Sequence, residues 1–110
     1  KRALLALEPG TKVSGTAVGG DFLLPSDPGR PLLLVAGGIG ITPFIGHLEQ
    51  AATDTTAKRD IAVVYAVSSA DDLAYAEQVT AAGCQVALAS PEKPTKLPTG
   101  WTWIGPGRVT

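Results

Sequence analysis

The chain has 110 residues, 45% of them hydrophobic and 17% charged, and a net charge of −1. That is room for one globular domain, or one domain and a piece of another. It excludes a disordered chain and, with no basic cluster beyond Lys58-Arg59, argues against nucleic acid or an anionic membrane surface as partner.

In chain order, residues 1–7 read as a scrap of helix, closed by the turn Glu8-Pro9-Gly10. Lys12 to Val18 alternates like a strand, Gly19-Gly20 interrupts it, and Phe22-Leu23-Leu24 resumes. A single hairpin cannot bury its own faces. Residues 1–30 are therefore expected to be the tail of another, mostly β domain, with the Pro/Gly-rich Pro25 to Pro31 as the boundary.

From residue 31 the pattern becomes strand-helix-strand-helix-strand. Leu32–Ala36 is an apolar run of the buried, parallel kind. Thr42 suits an N-cap, and Pro43 suits the first helical position. Phe44, Ile45, Leu48 and Ala52 give that helix its apolar stripe. Thr53 to Lys58 is a polar loop, and Ile61–Val67 a second buried strand. Ser69-Ala70-Asp71-Asp72 has the form of a capping box. Leu73, Ala76, Val79 and Ala82 then mark one helical face, with Gly83 as its stop. Gln85–Ala89 is a third strand. After a Pro-rich loop, Trp101–Ile104 is a short fourth strand, broken by Gly105-Pro106-Gly107 near the point where a further helix would begin. The expected class is α/β: a three-layer α/β/α nucleotide-binding domain over 31–110, with a parallel sheet joined by right-handed crossovers.

The stretch that carries chemistry is Ala36 to Phe44, where an apolar strand passes through glycines into a helix start. Backbone N–H groups and the positive end of a helix dipole converge there, and glycine lets a phosphate reach the backbone. A dinucleotide is the leading ligand. Gly38 and Gly40 supply only the first two glycines of G-x-G-x-x-G. The ribose-binding acid expected after the second strand is missing: Asp60 has the spacing but precedes that strand. No P-loop motif is present.

Other residues are weaker candidates. His47 is the single histidine; no Ser-His-Asp or Cys-His set can be argued from it, and it reads as a surface or partly buried helical residue. Asp71 and Asp72 are accounted for by a helix first turn. Cys84 reads as a small buried hydrophobe; as a lone cysteine it excludes an internal disulfide framework and fits a cytoplasmic location. Trp101 and Trp103 read as core or subunit packing. Gly105-Pro106-Gly107-Arg108 is either a plain turn, the favoured reading, or a second anion-friendly one. The longest apolar run is too short to span a bilayer.

Three stretches together resemble the ferredoxin–NADP⁺ reductase family. Ala36-Gly37-Gly38-Ile39-Gly40-Ile41-Thr42-Pro43-Phe44 is similar to the start of its nucleotide-binding domain. Pro9-Gly10, Val13 and Gly20-Asp21-Phe22-Leu23-Leu24-Pro25 resemble the end of its flavin-binding barrel, which makes residues 1–30 a hairpin remnant of that barrel. Tyr65 to Tyr75 resembles its second strand and following helix.

The resemblance implies hydride transfer between NAD(P)H and a flavin, FAD or FMN, held mainly by a domain outside this chain, with electrons passing to a further acceptor protein or domain. It implies that Gly37, Gly38, Ile39, Gly40, Ile41, Thr42 and Pro43 bind the nicotinamide nucleotide. Thr42 would stand near the nicotinamide and flavin rings, as the catalytic candidate. Ser68 and Ser69 would face the adenosine end, or simply cap a helix. Many relatives carry an arginine near Ser68; its absence here tilts the reading toward NADH, since a neutral serine lacks the charged fork a phosphate favours. An ordinary Rossmann dehydrogenase and a non-catalytic nucleotide-binding or sensing domain are the alternatives.

Overall fold

The computed structural model describes residues 1–54 and 58–108. Residues 55–57 of the expected polar loop, and the start of any helix after Arg108, lie outside them. The elements are α1 (Arg2–Leu5), β1 (Leu32–Gly37), α2 (Thr42–Thr53), β2 (Ile61–Ala66), α3 (Ala76–Ala81), β3 (Gln85–Ala89) and β4 (Trp101–Gly105). Short 3-10 turns at Gly38–Ile41 and Ala70–Asp72 lead toward α2 and α3.

The four strands pair in the order β1-β2-β3-β4, all parallel. The apolar runs chose this arrangement, because a parallel sheet buries whole strands and needs helical returns. One face carries Leu34, Val63, Tyr65, Val86, Leu88 and Trp101, packed under Ile45 and Leu48 of α2 and Val79 of α3. Each such side chain stabilises the fold by roughly 1.5–3 kcal/mol through burial. Two indole N–H groups find partners: Trp101 Nε1 donates to Thr80 Oγ1 at 3.0 Å, and Trp103 Nε1 to Ser90 Oγ at 3.2 Å. The Tyr65 hydroxyl donates to the Ala74 carbonyl at 3.3 Å, and burial pushes its pKa up.

The α/β class and the parallel sheet are as expected, but the third layer is not built by the described residues. α2 and α3 pack against each other on one face. The other face shows Leu33, Val35 and Ile104, which are 65%, 44% and 57% exposed. Sequential strand order explains this, since right-handed crossovers that all step the same way put every helix on one side.

The expected hairpin over Lys12–Leu24 is also not formed. Residues 6–31 contain no strand, and Val13, Val18, Phe22 and Leu23 are exposed. Alternation alone does not hold a strand without a partner and a second layer. The Cα radius of gyration, 16.1 Å, exceeds the about 13 Å of a compact chain this long, as an unpacked first segment requires. That segment touches the domain at few points. Arg59 donates to the carbonyls of Pro25 at 2.9 Å and Asp27 at 3.0 Å. The Phe22 ring lies 5.4 Å from Phe44 and 5.6 Å from His47.

Two further expectations are corrected. Thr42 is not the N-cap: the chain is already helical at Ile41, and the Thr42 hydroxyl donates to the Ile39 carbonyl at 2.9 Å. The 3-10 turn supplies the preceding geometry, so no side-chain cap is needed. The second helix does not run from the capping box to Ala82. Ser69 Oγ accepts from the Asp71 N–H at 3.2 Å, but it caps only the 3-10 turn. The chain then breaks at Tyr75, whose φ is +60°, and α3 starts afresh at Ala76. Gly83, at φ +70°, ends it as expected.

Candidate functional site

The register aligns the carboxyl ends of all four strands. Gly37 stands opposite Ala66, Ala66 opposite Ala89, and Ala89 opposite Gly105. Four small residues thus end the strands in one row. A bulge makes the last pairing possible: Leu88 faces Trp103, yet Ala89 faces Gly105, so Ile104 is the extra residue and is turned outward. The Ser90 N–H then donates to the Gly105 carbonyl at 3.1 Å and fixes the chain beyond β4.

Above this row lies an open cleft of about 530 Å³, within the usual range for small-molecule sites. Gly37 and Gly38 line it from β1, Val67 and Ser68 from β2, Pro91 from β3, and Pro106, Gly107 and Arg108 from β4. The carboxyl edge of a parallel sheet is where such folds take ligands. Gly38 turns the chain at φ +52°, and a Cβ placed on Gly38 or Gly40 would meet nothing within 4 Å. The backbone is therefore open to a ligand here. The first N–H groups of the 3-10 turn lack partners within their own helix and favour an anion, whereas the Thr42 N–H that opens α2 donates to the Ile39 carbonyl and Pro43 has none.

The sequence-derived site residues divide. Gly37, Gly38 and Ser68 share the cleft. Ile39, Gly40, Thr42 and Pro43 are exposed on the turn that follows, but Ile41 is fully buried, so only its backbone can serve a ligand. Thr42 spends its proton on Ile39, which leaves its oxygen free to accept. Ser69 faces a neighbouring hollow of about 420 Å³ that Ser68 also lines. That hollow contains Asp71, Glu92 and Lys93, two carboxylates against one ammonium.

Arg108 is the residue whose place in the cleft the favoured plain-turn reading did not give. Its signal was the Gly-Pro-Gly-Arg run. Cys84 and Asp60 lie at the opposite edge of the sheet, in another hollow. Burial pushes the Cys84 thiol pKa up, and its Sγ lies 3.5 Å from the Val79 carbonyl. His47 is half-buried beside Phe22, away from the cleft. Among the described residues no cluster of His, Cys, Asp or Glu can hold a metal, and no helix is long and apolar enough to cross a membrane.

Residues 34–92 match the family model described as the oxidoreductase NAD-binding domain. A flavohemoprotein of Oceanobacillus iheyensis is 32% identical over 75 residues, covering 68% of this chain and 18% of that protein. A flavohemoprotein of Bacillus anthracis matches with the same identity and coverage. One from Xylella fastidiosa is 46% identical over 43 residues, covering 39% of this chain and 11% of its own length. The chain thus spans less than a fifth of the curated relatives it matches. No solved structure gives a significant match. The glycine turn and the cleft residues from Gly37 to Pro91 lie within the matched residues: the chain belongs to the oxidoreductase NAD-binding domain family, of the ferredoxin-reductase type that its glycine turn resembles.

Proposed function

We propose that this chain is the pyridine-nucleotide-binding part of a flavin-dependent oxidoreductase, moving a hydride between NAD(P)H and FAD or FMN, with electrons passing on to an acceptor protein or domain. The observation that carries it is the cleft at the carboxyl edge, floored by small residues and entered by a glycine turn, on a chain of the NAD-binding family. Residues 1–30 are read as the end of the flavin-binding domain, joined through residues 25–31.

The nicotinamide and flavin supply the redox chemistry, since no side chain here accepts a hydride. The chain's own share is positioning. Gly38 and Gly40 keep the backbone bare so that a nucleotide can lie against it. The turn's N–H groups face the negative charge. The Thr42 oxygen, its proton already given to Ile39, accepts an N–H, the role a nicotinamide carboxamide requires. Fixing that ring removes the rotational freedom a hydride transfer must otherwise lose. Ser68 stands between the cleft and the adjoining hollow, the place for the adenosine ribose. With two carboxylates against the single ammonium of Lys93, that hollow is net negative and disfavours a 2′-phosphate, so NADH is the preferred nucleotide.

The test is the visible absorbance of the full-length protein, purified without oxygen, before and after NADH and then NADPH. Bleaching of a flavin band, faster with NADH, is the expected result. A protein that carries no flavin, or whose flavin ignores both nucleotides, refutes the oxidoreductase reading in favour of a nucleotide-binding or sensing domain.

A further inference from the structure

Arg108 lies after the last strand, far in sequence from the glycine turn, yet both line one cleft. It is the single charged residue among the described residues of that lining. The turn that carries it is held in place. Gly105 adopts φ +98°, its carbonyl accepts from the Ser90 N–H, and Ser90 in turn binds the Trp103 indole. Gly107 sits so close to β3 that an added Cβ would come within 3.1 Å of the Ala89 Cβ. The backbone below Arg108 is thus seated against the sheet, while the guanidinium itself is exposed and has no hydrogen bond or ion pair with another described residue.

We infer that Arg108 binds the diphosphate of the nicotinamide nucleotide, opposite the glycine turn. This rests on the nucleotide reading above. A diphosphate carries two negative charges, and the N–H groups of one turn offer only partial positive charge. The strand ends contribute no other charge to this cleft, and a guanidinium gives a phosphate two parallel hydrogen bonds. The 2′-phosphate of NADPH is the other anion a nucleotide can bring. It belongs at the adenosine end, where the carboxylates of Asp71 and Glu92 outnumber the ammonium of Lys93. Arg108 therefore serves the group that NADH and NADPH share. It supplies from β4 the cation that the sequence lacks beside Ser68.

The test compares wild type, Arg108→Ala and Arg108→Lys in the full-length protein, by titration with NADH, NADPH and inorganic diphosphate. Arg108→Ala is expected to raise both nucleotide dissociation constants by roughly tenfold or more, the scale of a lost charged hydrogen bond. It should also abolish competition by inorganic diphosphate. Arg108→Lys should recover part of the loss. The thermal midpoint should stay the same, because the side chain is exposed. Equal affinities in wild type and Arg108→Ala would overturn this assignment alone. Weakening confined to NADPH would also overturn it, moving Arg108 to the 2′-phosphate. A wild type that binds neither nucleotide would overturn the functional reading as well.

Discussion

The two edges of the sheet hold hollows of nearly equal size, about 530 Å³ at the carboxyl edge and about 510 Å³ at the amino edge. They differ in backbone polarity and in charge. At the carboxyl edge the chain leaves strands and enters helical turns, so N–H groups point outward, and Arg108 adds a full positive charge. At the amino edge the helices end, so carbonyls face the hollow, and Asp54, Lys58, Arg59 and Asp60 put both signs of charge there. Size does not separate a ligand site from a crevice between a sheet and its helix ends. The direction of the peptide groups does, and in a parallel sheet that direction is set by topology before any side chain is chosen.

The strongest way to break this contrast is Gly38→Val. A β-branched residue at φ +52° is strained, and its side chain fills the open space where a nucleotide would lie. Affinity for NADH should fall by about 2–3 kcal/mol, or roughly 30- to 150-fold, measured by fluorescence titration. Unchanged affinity would mean the glycine turn is only a turn. Thr42→Ala should act on rate more than affinity, slowing flavin reduction by about five- to tenfold, the worth of one hydrogen bond. Stopped-flow absorbance at saturating NADH reads that difference, and a change in affinity alone would remove Thr42 from the reacting ring.

Ser69→Ala sharpens the contrast from the structural side. It should cost about 0.5–1 kcal/mol of stability through the lost cap, in a urea melt, and leave NADH affinity untouched. A large affinity loss would return Ser69 to the binding site. The smallest effect is expected at Cys84 on the amino edge. Thiolate is the alkylating species, and burial raises the thiol pKa above its ordinary 9.0. Its alkylation at neutral pH should therefore be slower than that of a free thiol and should climb as pH rises past 9.0. Saturating NADH should give no protection, because the proposed nucleotide site lies at the other edge; protection would contradict that placement.

Much of this was legible in the sequence. The strands were, because Leu32–Ala36, Ile61–Val67 and Gln85–Ala89 are short apolar runs that only a buried parallel sheet explains, and the observed bounds differ by a single residue or none. The glycine turn was legible for the same reason. The second helix was not. Spacing counts Leu73 to Ala82 as one face, while the Tyr65 hydroxyl draws in the Ala74 carbonyl and the backbone reverses at Tyr75. Alternation over Lys12–Val18 misled in another way, since a period of two says which face a strand would bury without providing anything to bury it against. The place of Arg108 in the cleft escaped the favoured plain-turn reading because the turn after β4 folds back over the end of β3, which no local spacing records.

The grip of Arg59 on residues 25–27 has a consequence for how this chain tolerates change. Its guanidinium holds two main-chain carbonyls, those of Pro25 and Asp27, and not their side chains. Carbonyls are the same whatever residue carries them, so this stretch can drift in sequence and still be fastened at the same place beside β2. The whole demand falls on one position. A lysine there would keep the charge but lose the fork, and the point where the first thirty residues join the sheet would become a hinge instead of a fixed mount.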